Sequence, residues 1–222
     1  EAGPGEPFWN NPWMPGIDAA AIYTLVAQQR PKIYLEVGSG NSTKFARRAV
    51  KDHKTGTQII SIDPQPRAEV DAICDHVIRL PVEQVDLEKL SSLLSPGDVV
   101  FVDNSHRSFQ NSDVTVCCLD LLNAVPAGCY FGVHDIYLPF DYPGVFLDWF
   151  YNEQYMLMMY FLGGAVEDTI ICPSYMATNG VAFGTFAARV PPPPPPVAAA
   201  PRVRVLALEG KVAGGGMAVP DG

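Results

Sequence analysis

Residues 34–50, YLEVGSGNSTKFARRAV, decide the fold. An apolar run, KIYLEV over 32–37, stops at Gly38-Ser39-Gly40. Beyond it the period changes: Phe45, Ala46, Ala49 and Val50 recur at three-to-four spacing, and Ser42 or Thr43 is placed to cap a helix. Strand, glycine turn and helix in that order make the first half of a βαβ unit. Gly38 and Gly40 permit a tight turn and a close backbone approach, while the helix start offers unpaired N–H groups to a ligand oxygen.

The same rhythm extends outward. Further strands are expected at QIISI (58–62), HVIRL (76–80), DVVFVD (98–103) and CYFGVH (129–134). A helix is expected over Asp113 to Ala124, ended by Pro126-Ala127-Gly128. DTIIC (168–172) and VAFGTF (181–186) read as two more strands whose connection is too short for a parallel crossover. The expected fold is therefore α/β: a doubly wound, Rossmann-like, mostly parallel seven-stranded sheet in the order 3-2-1-4-5. Helices cover both faces, and a C-terminal antiparallel pair closes the sheet. One domain is expected over 1–190. The run Pro191 to Pro196 opens a proline-, alanine- and glycine-rich segment, 191–222, read as a flexible tail that spaces the domain from, or contacts, a partner domain.

In such a sheet a ligand binds outside the carboxyl ends of the strands where their order reverses, here between the first and fourth strands. Asp63 ends the second strand 23 residues after Gly40, where an acid accepts ribose hydroxyls, so an adenosine-type cofactor is expected. A dinucleotide fingerprint needs a third glycine where Thr43 stands. Glu36, two residues before Gly38, suits a cationic cofactor better than a pyrophosphate.

These residues resemble motif I of the class I S-adenosylmethionine-dependent methyltransferases. With FWNNPWMPGIDAA, SIDPQPRAEVDAICDHVIRLPVEQVD, VVFVDNSHR and HDIYLPFDYP, the likeness extends over about residues 7–187, to the macrocin-type O-methyltransferase and cephalosporin hydroxylase-like group. The resemblance implies that Glu36, Gly38, Ser39, Gly40, Asn41 and Ser42 surround the methionine part of S-adenosylmethionine. Asp63 takes the ribose, Pro64 flanks the adenosine and Asp103 lies near the methyl group.

Asp103 and His106 after the fourth strand, with His134 and Asp135 after the fifth, form the expected chemical end. Methyl transfer needs an aligned nucleophile relieved of its proton, and a histidine of ordinary pKa, about 6.5, suits the base. In the macrocin-type relatives acids at these strand ends hold a divalent metal, which maps to Asp103, His134 and Asp135. His134 in place of an acid disfavours Mg²⁺, and a metal-free site is the expectation. Aromatic loops, with Phe8, Trp9 and Trp13 ahead of the first helix and Tyr137, Phe140, Tyr142, Trp149 and Tyr151 after the fifth strand, either roof an acceptor pocket or cap the core.

The expected activity is O-methylation of a small molecule or a sugar hydroxyl. The rival readings are a metal-dependent hydroxylase-like relative and a non-catalytic cofactor-binding or scaffolding module. With 15 Lys+Arg against 24 Asp+Glu and a net charge of −9, nucleic acid and anionic lipid are disfavoured partners. The apolar stretch 155–166 falls short of the roughly 20 residues of a membrane span. Five cysteines without C-x-x-C spacing, and no visible secretory signal, suggest a reduced, cytoplasmic setting; a homo-oligomer is compatible with all of this.

Overall fold

The strand predicted at 32–37 forms as β1 (Ile33–Val37), the central strand of a sheet ordered β3-β2-β1-β4-β5 with every pairing parallel. The computed structural model describes residues 3, 5–11, 13–66 and 69–163. The other strands are β2 (Gln58–Ile62), β3 (His76–Ile78), β4 (Val99–Val102) and β5 (Tyr130–Val133). The order is the one expected, and the described residues hold five strands. The runs at 168–172 and 181–186, and the segment 191–222, lie outside the described residues.

Side chains alternate across a strand, so neighbouring residues of one apolar run serve opposite cores. Leu35 and Val37 of β1, with Ile60, Ile62, Val100 and Val102, pack on one face against Val116, Cys117, Leu121 and Val125. Tyr34, Ile59, Val99 and Phe101 pack on the other against α1 (Gly16–Gln29) and α2 (Asn41–His53) through Ile22, Val26, Phe45 and Ala49. Helices therefore cover both faces. α3 (Leu87–Ser91) adds Leu90 to the first core. The helix expected over 113–124 forms as α4 (Asp113–Val116), a π-helical turn (Cys117–Leu121) and α5 (Leu122–Ala124). The last helix is α6 (Glu153–Leu162).

Of the N-terminal aromatics, Trp9 follows the second alternative, capping the core, while Phe8 and Trp13 are exposed. The Trp9 ring lies tilted 4.9 Å from Phe45 and edge-on 6.2 Å from Tyr23, capping the α1–α2 face. Among the described residues no helix is long and apolar enough to cross a membrane.

Candidate functional site

Hydrogen bonding continues one residue past the strand ends and brings the expected residues to one edge. The N–H of Gly38 donates to Ile62 O (2.9 Å), that of Asp103 to Val37 O (2.8 Å) and that of His134 to Val102 O (2.9 Å). Gly38 has φ +81°, and a Cβ there would stand 1.7 Å from the carbonyl oxygen of Asp103. Only glycine lets the first loop lie against the end of β4.

The glycine loop is held from two sides. Asp63 accepts the N–H of Ser39 at Oδ2 (2.8 Å) and that of Gln65 at Oδ1 (2.7 Å), and stays partly exposed. The N–H of Gly40 donates to Thr43 Oγ1 (3.0 Å), whose hydroxyl in turn donates to Glu36. Glu36 is fully buried, also accepts from the Tyr34 hydroxyl (3.1 Å), and so lies beneath the loop rather than on its open surface. Burial pushes its carboxyl up to about 8, against the opposing hydroxyls of Ser42 and Thr43. Its position makes Glu36 a support of the loop; the selection against a pyrophosphate expected of it has no contact surface. Asn41 is partly exposed at the start of α2, Ser42 and Ser39 are buried, and Pro64 is exposed.

At the other end, Asp103, His106, His134 and Asp135 converge as expected. His106 Nε2 lies 3.4 Å from Asp103 Oδ1 and 3.5 Å from Asp135 Oδ2. His134 Nδ1 lies 3.3 Å from Asp103 Oδ1 and 3.6 Å from Asp135 Oδ1. His106 (φ 59°) and Asp135 (φ 51°) take left-handed backbone, a strain that clusters at functional sites. The 103–107 loop is pinned: His106 N–H bonds Asn104 Oδ1 (3.0 Å), and Ser105 donates to both oxygens of Asp113 (2.8 and 2.6 Å).

Two carboxylates that sequence reasoning missed complete the cluster. Glu153, buried in the first turn of α6, places Oε2 2.9 Å from His106 Nδ1 and accepts from Asn104 Nδ2 (3.0 Å). Asp18, in the first turn of α1, lies within the field of His134, Asp135 and Asp103, and burial pushes its carboxyl up to about 6. Neither carries a signal, because an acid in a first turn is ordinary.

Burial alone would lower the pKa of both imidazoles, but the carboxylates win. Asp103 and Glu153 hold His106 up at about 10, and Asp103, Asp135 and Asp18 hold His134 up at about 9. Burial raises Asp103, yet the two rings hold its carboxyl well below the usual range. Both rings thus favour the protonated form more than an ordinary histidine does, a condition less suited to the general-base role expected of a pKa near 6.5. Because both values stand above the unfolded 6.5, the stability these protons contribute is fully present below about pH 6.5. It is lost as pH rises through about 9 to 10. Urea unfolding of chelator-treated protein should therefore show a midpoint that falls between pH 7 and 10, and a flat midpoint would refute the raised values.

Beside His106 stands an aromatic wall. The Tyr151 ring is 4.6 Å from the imidazole, Phe146 is 4.9 Å from Tyr151, and Tyr137 is 5.3 Å from Phe146. Trp149 lies 5.7 Å from Tyr151 and is half exposed.

The glycine loop, Asp63 and Asp103 thus stand together at the carboxyl edge where the strand order reverses. Residues 35–136, from β1 to just beyond β5, match a family model described as a methyltransferase domain. No curated protein matches the chain. Among solved structures, the SAH-bound methyltransferase PaMTH1 of Podospora anserina is similar at 16% identity, over 69% of this chain and 72% of that one, with a TM-score of 0.45.

Proposed function

We propose that this chain binds S-adenosylmethionine along the 38–42 loop and Asp63, and methylates a hydroxyl oxygen of a small molecule or sugar. The observation that carries the reading is the built loop between β1 and β4: Gly38 against the Asp103 carbonyl, and Ser39 anchored on Asp63. The methyltransferase-domain match over 35–136 supports it. Asp63 fits the ribose because each of its oxygens is engaged once by backbone and keeps acceptor capacity on a partly exposed side chain. When bound, the cofactor supplies an electrophilic methyl group on a sulfonium. The chain's own residues hold and orient the acceptor: Asp103, kept ionised, accepts a hydrogen bond from its hydroxyl and takes that proton as the O–CH3 bond forms and the S–CH3 bond breaks, His106 and His134 fix that carboxylate, and the Tyr151 side of the aromatic wall receives its apolar body.

The test is calorimetry with S-adenosylhomocysteine and with NAD. The first should bind, and the second should bind more weakly, because Thr43 stands where a dinucleotide fingerprint has its third glycine. Asp63→Ala should weaken S-adenosylhomocysteine by about ten- to a hundredfold, the roughly 1.5–3 kcal/mol of a charge-assisted hydrogen bond. Unchanged affinity would remove Asp63 from the site, and tighter binding of NAD would overturn the cofactor.

A further inference from the structure

β3 ends beside the acid that the cofactor reading assigns to the ribose. Its ladder with β2 pairs Ser61 with Val77 and Ile62 with Ile78, and the Asp63 N–H adds one more bond, to Ile78 O (3.1 Å). The next residue is Arg79, which this register brings alongside Asp63.

Arg79 Nη1 donates to Asp63 O (2.9 Å) and to Ser61 Oγ (3.1 Å), while Nη2 is held by Asp71. Ser61 is fully buried, its Oγ lies 2.5 Å from Ser39 Oγ, and the Ser39 N–H donates to Asp63 Oδ2 (2.8 Å). Because Ser61 Oγ accepts from the cation, its own hydrogen is left to donate to Ser39. Two arms from one nitrogen therefore close on Asp63: one directly on its carbonyl, the other through Ser61 and Ser39 on its carboxylate. A planar guanidinium holds such a fork at fixed angles, and bonds from a charged donor are the stronger kind. Asp71 is mostly exposed, so its ion pair steers the guanidinium more than it stabilises the fold.

We propose that Arg79 is a positioning residue for cofactor binding: it fixes the direction in which Asp63 presents its remaining acceptor sites to the ribose, without touching the ligand itself. The inference rests on the reading of Asp63 as the ribose acceptor. Each carboxylate oxygen of Asp63 already holds one backbone N–H, from Ser39 and from Gln65, so the side chain cannot swing to compensate if its own backbone turns. A turn at Asp63 would move both oxygens together, and sites of this kind need placement to within about 0.5 Å.

The experiment is calorimetry of the full chain with S-adenosylhomocysteine and with its analogue lacking both ribose hydroxyls. Arg79→Gln should weaken S-adenosylhomocysteine by about tenfold and the analogue by no more than about twofold. Ser61→Ala, which cuts only the longer arm, should weaken S-adenosylhomocysteine by about threefold and again spare the analogue. In an Asp63→Ala background Arg79→Gln should add no more than about twofold, because the two residues act through one contact. Arg48→Gln, at an exposed arginine of α2, should change nothing. Circular dichroism and urea midpoints establish that each variant is folded. Unchanged affinity in folded Arg79→Gln, equal weakening of both ligands, or additive losses in the double variant would each overturn the role of Arg79. Failure of the unsubstituted chain to bind S-adenosylhomocysteine would instead overturn the cofactor reading, and the inference with it, before any Arg79 variant is made.

Discussion

Gly38→Ala should leave a chain that unfolds at much lower denaturant and no longer binds S-adenosylhomocysteine. A Cβ at position 38 would sit 1.7 Å from the Asp103 carbonyl oxygen, and φ there is +81°. The left-handed backbone costs about 1–2 kcal/mol for an L-residue and the overpacking about 1–3 kcal/mol or more. Neither partner can retreat, since Asp103 N–H is bonded to Val37 O (2.8 Å) and Gly38 N–H to Ile62 O (2.9 Å), both in the middle of the sheet. Against a total stability of about 5–15 kcal/mol this is a large loss. Gly40 gives the contrast: its φ is 179° and nothing lies within 4 Å of a Cβ, so Gly40→Ala should cost far less. Urea midpoints of the two variants check this, and equal midpoints would contradict the packing account of Gly38.

His106→Ala is expected to lower methyl transfer by roughly a hundredfold through misplacement of Asp103, with S-adenosylhomocysteine affinity little changed. The ring contacts the acceptor end through Asp103 and Asp135, whereas the cofactor loop is held by Asp63 and Thr43. Stability should also fall, because Glu153, 1% exposed, loses its 2.9 Å partner. Breaking a buried pair in this way costs about 3–5 kcal/mol. The double variant His106→Ala, Glu153→Gln should recover part of that stability and none of the turnover. If turnover recovers with stability, His106 is structural and the assignment fails.

The strands were legible in the chain because their determinants are local, and their order followed the usual doubly wound pattern. Apolar runs such as IYLEV and VVFV are buried on both sides, and parallel strands need helices between them. The glycine loop was legible for the same reason: Gly38 meets β4 because the ladder register sets it beside Asp103. So too was the convergence of Asp103, His106, His134 and Asp135, since Asp103 and His134 directly follow the ends of two adjacent strands and His106 and Asp135 lie in the loops they open.

What the tertiary structure decided depends on distances that bear no relation to sequence separation. Glu153 reaches His106 across 47 positions, and Asp18 acts on His134 from the first helix. Their carboxylates lie in low dielectric, where a field is summed over space rather than along the chain. That sum turned two histidines of ordinary sequence context into imidazoles that favour the protonated form more than an ordinary histidine does. Glu36 likewise could be placed at the end of β1 from the sequence, but only packing decided that its carboxyl turns inward to Tyr34 and Thr43 and supports the loop from below.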